Sequence, residues 1–81
     1  MPGTVEVHLF AAARAAVGRS VVEAKPAALA EILGRIEAAH PAFSAVRPRC
    51  SYLVEGLAVH DEGLLVAAGS RVDVLPPFSG G

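Results

Sequence analysis

The sequence predicts an α+β fold, a mixed sheet of four to five strands over one long helix, and three observations carry that prediction. Thr4 to Phe10 alternates, with Val5, Val7 and Leu9 on one side and Thr4, Glu6, His8 and Phe10 on the other. A period of two over that length marks a strand with its valine face inward. Leu29, Ile32, Leu33 and Ile36 recur at i, i+3, i+4 and i+7, the stripe of a helix with one apolar side. Arg71-Val72-Asp73-Val74-Leu75 reads as a last strand, and it stops at Pro76-Pro77, which cannot donate to a ladder. Strands before and after a single amphipathic helix fit a sheet whose one face that helix covers.

The remaining elements follow in order. Ala11 to Val17 is alanine-rich and ends at Gly18, so it reads as a short helix with a left-handed C-cap. Ser20 to Ala24 holds Val21-Val22 and is expected to return as a second strand, antiparallel to the first. Pro26 sits at or just before the start of the long helix, and Glu31 and Arg35 lie four apart on its wet side. Gly34 weakens that helix by up to ~1 kcal/mol against alanine, which suggests a close approach to a strand. His40-Pro41 ends it, because a residue before proline avoids the helical region. Pro41 to Arg49 reads as a loop. Ser51 to Val54 is a strand that turns at Glu55-Gly56 into Leu57-Ala58-Val59; a turn at His60 to Gly63, a brief apolar run at Leu64 to Val66 and a turn at Ala68 to Ser70 lead to the last strand. Residues 1–75 form the predicted body and residues 76–81 a separate tail.

Composition bounds the function. Eighty-one residues make one domain, burying roughly 60–65% of its unfolded surface. At 53% hydrophobic and 19% charged the chain has no disorder signature. A formal charge of -1 gives no electrostatic case for nucleic acid or an anionic membrane. The single cysteine, Cys50, excludes an internal disulfide and fits a reducing compartment. No apolar run approaches the ~20 residues of a membrane span, and the first residues lack a signal-peptide pattern. The expectation is a soluble, cytoplasmic protein.

Nothing inside the chain looks catalytic. His8, His40 and His60 show no metal-ligand spacing, so no metal is expected. Cys50 lies beside a strand, where a cysteine is usually a small buried hydrophobe. The carboxylates are spread over turns and polar faces without an acid/base pair. Arg47 and Arg49 read as solvated loop cations, with an acidic partner as the alternative.

The tail has a different character. After Leu75, the two prolines hold the chain as a stiff stalk. Phe78 is the last bulky group, and Ser79, Gly80, Gly81 and a carboxylate follow. Six residues at ~3.3–3.6 Å each reach about 20 Å. Paired glycines pass through a channel too narrow for a Cβ. That geometry suits a carboxylate offered to another protein's active site, against the plainer reading of a frayed terminus.

Two sets of residues resemble a known family, the ubiquitin-like sulfur carriers, and within it the small subunit of molybdopterin synthase. At the front is Leu9-Phe10-Ala11-x-x-Arg14-x-x-Val17-Gly18; at the back is Leu65-x-x-x-Gly69-x-x-Val72 with Pro76-Pro77-Phe78-Ser79-Gly80-Gly81. The resemblance covers nearly the whole chain. It implies a β-grasp fold and a C-terminal chemistry in which a ubiquitin-activating-like enzyme spends ATP to adenylate Gly81. A sulfur donor protein then displaces AMP to leave a thiocarboxylate. By the same resemblance, the large subunit of molybdopterin synthase takes the tail and passes its sulfur to a pterin precursor. No cofactor is bound by the carrier itself. Gly81 and Gly80 are the implied working residues, and Pro76, Pro77, Phe78, Ser79, Leu75 and Phe10 the implied partner-binding ones. Ordinary core is the competing reading of Phe10 and Leu75. Glu55-Gly56 stands where relatives often have Asn-Gly, and Ala68-Gly69-Ser70-Arg71 where they are often acidic. Carriers for thiamine or cysteine synthesis share the Gly-Gly end, and a non-enzymatic β-grasp binding module is the alternative from another class.

Overall fold

The computed structural model describes residues 3–77. The first strand, β1 (Val5–Leu9), leads into α1 (Ala11–Val17), whose C-cap Gly18 takes φ +82° and donates its N–H to the Arg14 carbonyl. Strand β2 (Val21–Ala24) returns antiparallel to β1, with Val7 opposite Val22. A two-residue strand β3 (Ala27–Ala28) enters the long helix α2 (Leu29–Ala39). A one-turn helix α3 (Phe43–Val46) and a 3₁₀ turn (Arg47–Arg49) precede β4 (Ser51–Val54) and β5 (Leu57–Val59). Short β6 (Leu65–Val66) and β7 (Arg71–Leu75) complete the described chain.

The main sheet has the order β2-β1-β7-β4-β5, and β3 pairs with β6 in a separate two-stranded ribbon. All main-sheet pairings are antiparallel except β1 with β7, where Val7 faces Val72 and Leu9 faces Val74. Alternation puts Val5, Val7, Leu9, Val72, Val74 and Tyr52 on the inner face, where all are buried. Leu29, Ile32, Leu33 and Ile36 of α2 meet them from above. The helix stripe and the strand alternation are therefore two halves of one core, and the fold is a β-grasp.

Helix α2 has no side-chain N-cap. Its first N–H groups are met by main chain instead: Leu29 donates to the Leu64 carbonyl at 2.9 Å and Ala30 to the Glu62 carbonyl at 2.8 Å. The β3–β6 ribbon holds those carbonyls in place. The β4–β5 hairpin turns through Glu55 and Gly56 at φ +51° and +79°, the two positive values a two-residue type I′ turn needs. Glu55 has a Cβ and is strained there, but its carboxylate accepts the Arg71 N–H at 2.6 Å.

Three expectations need correction. Pro41 to Arg49, read as a loop, instead forms α3 and the 3₁₀ turn, because Phe43 drives its ring fully into the core. Arg47, read as a solvated cation, bridges two carboxylates: Nη1 donates to Glu37 and Nη2 to Glu62 at 3.1 Å. Burial works against its charge, and the two hydrogen-bonded acids more than offset that, so its pKa lies above the ordinary arginine value. Gly34 makes no close approach, since a Cβ built there meets nothing within 4 Å.

Gly34 then only weakens α2. Replacing it with alanine is expected to stabilise the protein by about 0.5–1 kcal/mol. Thermal denaturation followed by circular dichroism should show Tm raised by roughly 2–8 °C. A lower Tm would mean that the position is sterically closed.

Candidate functional site

The site is built where β7 ends. Strand β7 lies between β1 and β4: Val74 is paired on both sides, with Leu9 and Tyr52, and Leu75 keeps only its β4 partner, Ser51. Leu9 pairs with Val74, and Phe10 and Leu75 are the next residues after that pair along β1 and β7. The Phe10 N–H donates to the Val74 carbonyl at 3.3 Å, and the Phe10 carbonyl accepts from Ala13 and Arg14 at 3.0 and 3.3 Å. Phe10 thus closes the sheet and opens α1. Ala11 follows at φ +47°, a left-handed conformation that the smallest side chain bears most readily.

Phe10 and Leu75 are half-buried, neither ordinary core nor freely exposed. Pro76 is buried and Pro77 exposed, so the first proline packs on the body and the chain emerges at the second. Both prolines line a cavity of about 190 Å³ with Ala12, Ala45, Val46 and Arg49. The structure therefore gathers four of the sequence-predicted residues, Phe10, Leu75, Pro76 and Pro77, at one end of the sheet. Phe78, Ser79, Gly80 and Gly81 lie outside the described residues.

The outer face of the sheet carries a charged network that the sequence reading missed. His8 Nε2 lies 3.1 Å from a Glu6 carboxylate oxygen, and Arg71 Nε donates to Asp73 at 2.7 Å. His8 is opposite Asp73 across the β1–β7 pair, and Leu53 is opposite Asp73 on the other side. The signal was available: Glu6 and His8 share the polar side of β1, as Arg71 and Asp73 do in β7. What the sequence lacked was the pairing that aligns them.

Other reactive groups are occupied structurally. Cys50 donates its thiol to the Val46 carbonyl at 3.4 Å, and burial pushes the thiol up. The Tyr52 hydroxyl donates to the Arg47 carbonyl at 3.1 Å, and burial foremost pushes the phenol up to about 12. Among the described residues no three His, Cys, Asp or Glu side chains come together in a way that could hold a metal ion. Among the described residues no helix is long and apolar enough to cross a membrane.

A five-stranded mixed sheet grasping one long helix, with its last described strand central, defines a ubiquitin-like β-grasp domain. More specifically, the chain belongs to the ThiS family of sulfur carriers, whose sequence pattern matches residues 7–81. Among solved structures it is similar to SAMP1 from Haloferax volcanii, at 30% identity, covering 98% of this chain and 100% of that one, with a TM-score of 0.82. A putative molybdopterin converting factor subunit 1 from Pyrococcus furiosus shares the fold at 22% identity, with 91% and 97% coverage and a TM-score of 0.81. So does a chain from the complex of subunits 1 and 2 of the molybdopterin-converting factor of Helicobacter pylori, at 19% identity, 96% and 99% coverage and a TM-score of 0.72. No curated protein matches the chain.

The Cys50 assignment has a measurable consequence. A raised thiol pKa depletes thiolate near neutral pH, so iodoacetamide at pH 8 should modify native protein more slowly than protein unfolded in urea. The native rate should keep climbing above pH 9. Equal native and unfolded rates would show an accessible thiolate and reopen nucleophilic chemistry at Cys50.

Proposed function

We propose that this carrier works through the Gly81 carboxyl as the small, sulfur-donating subunit of molybdopterin synthase. A carboxylate is a poor acyl donor, because the leaving group would be oxide. An adenylating enzyme of the ubiquitin-activating type transfers AMP from ATP to the Gly81 carboxylate and releases pyrophosphate. Sulfide-level sulfur from a donor protein then attacks the acyl carbon, AMP leaves with the acyl C–O bond electrons, and a thiocarboxylate remains. The large synthase subunit takes in the tail, and the sulfur moves to a pterin precursor.

The observation that carries this reading is the anchored exit of the chain. Val74 is paired on both sides, with Leu9 and Tyr52, Leu75 pairs with Ser51, and Pro76 is packed, so the chain leaves the body from a fixed point next to Phe10. The likeness to molybdopterin-converting subunits supports the pathway. In this reading Gly80 and Gly81 thread the partner's channel, and Ser79 spaces them from Phe78, which buries in the large subunit. Pro76 and Pro77 lower the entropy lost when the tail is ordered.

The likeness to SAMP1, a small archaeal modifier protein, favours a second use of the same activated group. If an amine rather than sulfide attacks the acyl-adenylate, AMP leaves in the same way and an amide links Gly81 to another protein.

Two measurements test the proposal. After incubation with an adenylating enzyme, ATP and a sulfur donor, intact mass should show one sulfur-for-oxygen exchange confined to the C-terminal residue. Gly81→Ala is expected to abolish the exchange with an unchanged unfolding curve; full exchange in that variant refutes the assignment. Phe78→Ala should leave loading intact and weaken binding to the large subunit by about 10–150-fold, the equivalent of about 1.5–3 kcal/mol of lost apolar burial. Unaltered affinity would place the Phe78 ring outside the interface.

A further inference from the structure

Three large apolar side chains are left in water among the described residues, Leu57 at 73%, Leu64 at 41% and Leu65 at 78% exposure. Leu57 opens β5 directly after the tight turn, and Leu64-Leu65 leads into β6. Leu57 pairs with Val54, and Val54 with Val72 near the start of β7, so the hairpin tip lies at the end of the sheet away from the tail root. Leu57 and Leu64 line one groove of about 510 Å³. Exposed aliphatic side chains around a shared groove mark a surface for another molecule.

Alternation puts Val54, Leu57 and Val59 on the same side of the β4–β5 hairpin as buried Tyr52, the side that carries α2. Leu64 adds to that apolar lining from the segment after β5. Two acids also line the groove, Glu55 before β5 and Asp61 after it. A main-chain N–H fixes each of them: Glu55 accepts from Arg71 at 2.6 Å and Asp61 from Gly63 at 2.8 Å. Neither has a cationic partner among the described residues. No lysine or arginine lines the groove, and His60 brings no fixed charge. The groove is therefore complementary to a guest that is aliphatic at its centre and cationic at its ends. Strand β5 has little main chain to offer such a guest. Pairs alternate outward from a two-residue turn, so only Ala58 of its three residues turns N–H and carbonyl away from β4. Side chains must carry the binding.

We propose that this groove docks an amphipathic helix of a partner protein, with leucine-like side chains at i, i+3, i+4 and i+7 and lysine or arginine at both ends. The aliphatic stripe covers Leu57 and Leu64, and the basic ends meet Glu55 and Asp61. Six residue steps at ~3.3 Å separate those acids by at most about 20 Å, the length of a helix of about thirteen residues. Binding of this kind takes its affinity from the anchors at helical spacing. A second copy of the chain is the wrong guest, because a two-fold contact would bring Glu55 and Asp61 of both copies into one interface. None of Phe10, Leu75, Pro76 or Pro77 lines the groove, so the site is separate from the tail root and independent of the chemistry at Gly81.

The test uses the full chain, labelled with nitrogen-15, and the synthetic peptide Lys-Arg-Ala-Leu-Ala-Gln-Leu-Leu-Ala-Gln-Leu-Arg-Lys. The Leu57, Val59 and Leu64 amides are expected to shift on titration, and the peptide to gain helical circular dichroism. Leu57→Ser removes a side chain that packs little on its own domain, so it should keep the parent's unfolding curve and bind at least about tenfold more weakly. The double variant Glu55→Gln/Asp61→Asn keeps both oxygen acceptors for the main-chain N–H groups and removes only charge. It should lose about tenfold in affinity. No perturbation at Leu57, Val59 and Leu64 up to about 1 mM peptide overturns the proposal. Equal affinity of the double variant and the parent does so too, as does equal binding of a peptide with glutamates in place of its four cations. Concentration-dependent shifts of the same amides without peptide, with a dimer in sedimentation, would give the groove to a second copy of the chain instead.

Discussion

The parallel pairing of β1 with β7 is the constraint from which the rest of the structure follows. A parallel pair cannot be closed by a hairpin, so the chain between Leu9 and Arg71 must cross over the sheet. That crossover contains α1, β2, the β3–β6 ribbon, α2, α3 and the β4–β5 hairpin. It also places the first and last strands at the centre, where Val5, Val7, Val72 and Val74 lose all exposure and Leu9 nearly all. The last described strand is therefore held by neighbours on both sides. The chain that follows this strand at Pro76 therefore gains a fixed point of departure from the topology, without any dedicated anchor.

The long crossover is kept in place by a few polar contacts set at its weak points. Helix α2 begins against the carbonyls of Glu62 and Leu64, and ends near Glu37, which Arg47 joins to Glu62. The Arg47 carbonyl in turn receives the Tyr52 hydroxyl. One residue thus ties the helix, the 60s turn, the 3₁₀ turn and β4. Arg47 is only about one-fifth exposed along its side chain, so its two acids have less water to compete with than the Arg35–Glu31 pair on the open face of α2. Among the described residues no buried side-chain nitrogen or oxygen is left without a partner. The core itself is small in its parts, with valine and alanine prominent, and this arginine hub holds together segments that share little apolar surface.

Long periodic segments were legible in the sequence, and short or non-local features were not. Strands β1 and β7 show two-residue alternation and α2 shows a full stripe, so their inward faces follow from the order of residues. Positive φ at Gly18 and Gly56 follows from glycine itself. Helix α3 spans four residues, too few for any period to register, and Phe43 within it looks like an isolated aromatic until the core closes on it. The ribbon of β3 with β6 consists of two-residue strands whose pairing is set by the ends of α2. Arg47 reads as a loop cation because its partners lie ten and fifteen residues away. At the site, Phe10, Leu75 and the two prolines were recognisable as a group, but the burial of Pro76 depends on α1 and α3 meeting beside it.

Sheet order also separates two kinds of surface. Under the proposed function an adenylating enzyme and a sulfur acceptor would grip the tail in turn, and each would have to leave the root region around Phe10 and Leu75 before the other could take it. Strand β2 is two positions from β7, and the groove beside it lies between β2 and α2. The same strand order thus seats the last described strand in the middle of the sheet and the second strand at its margin.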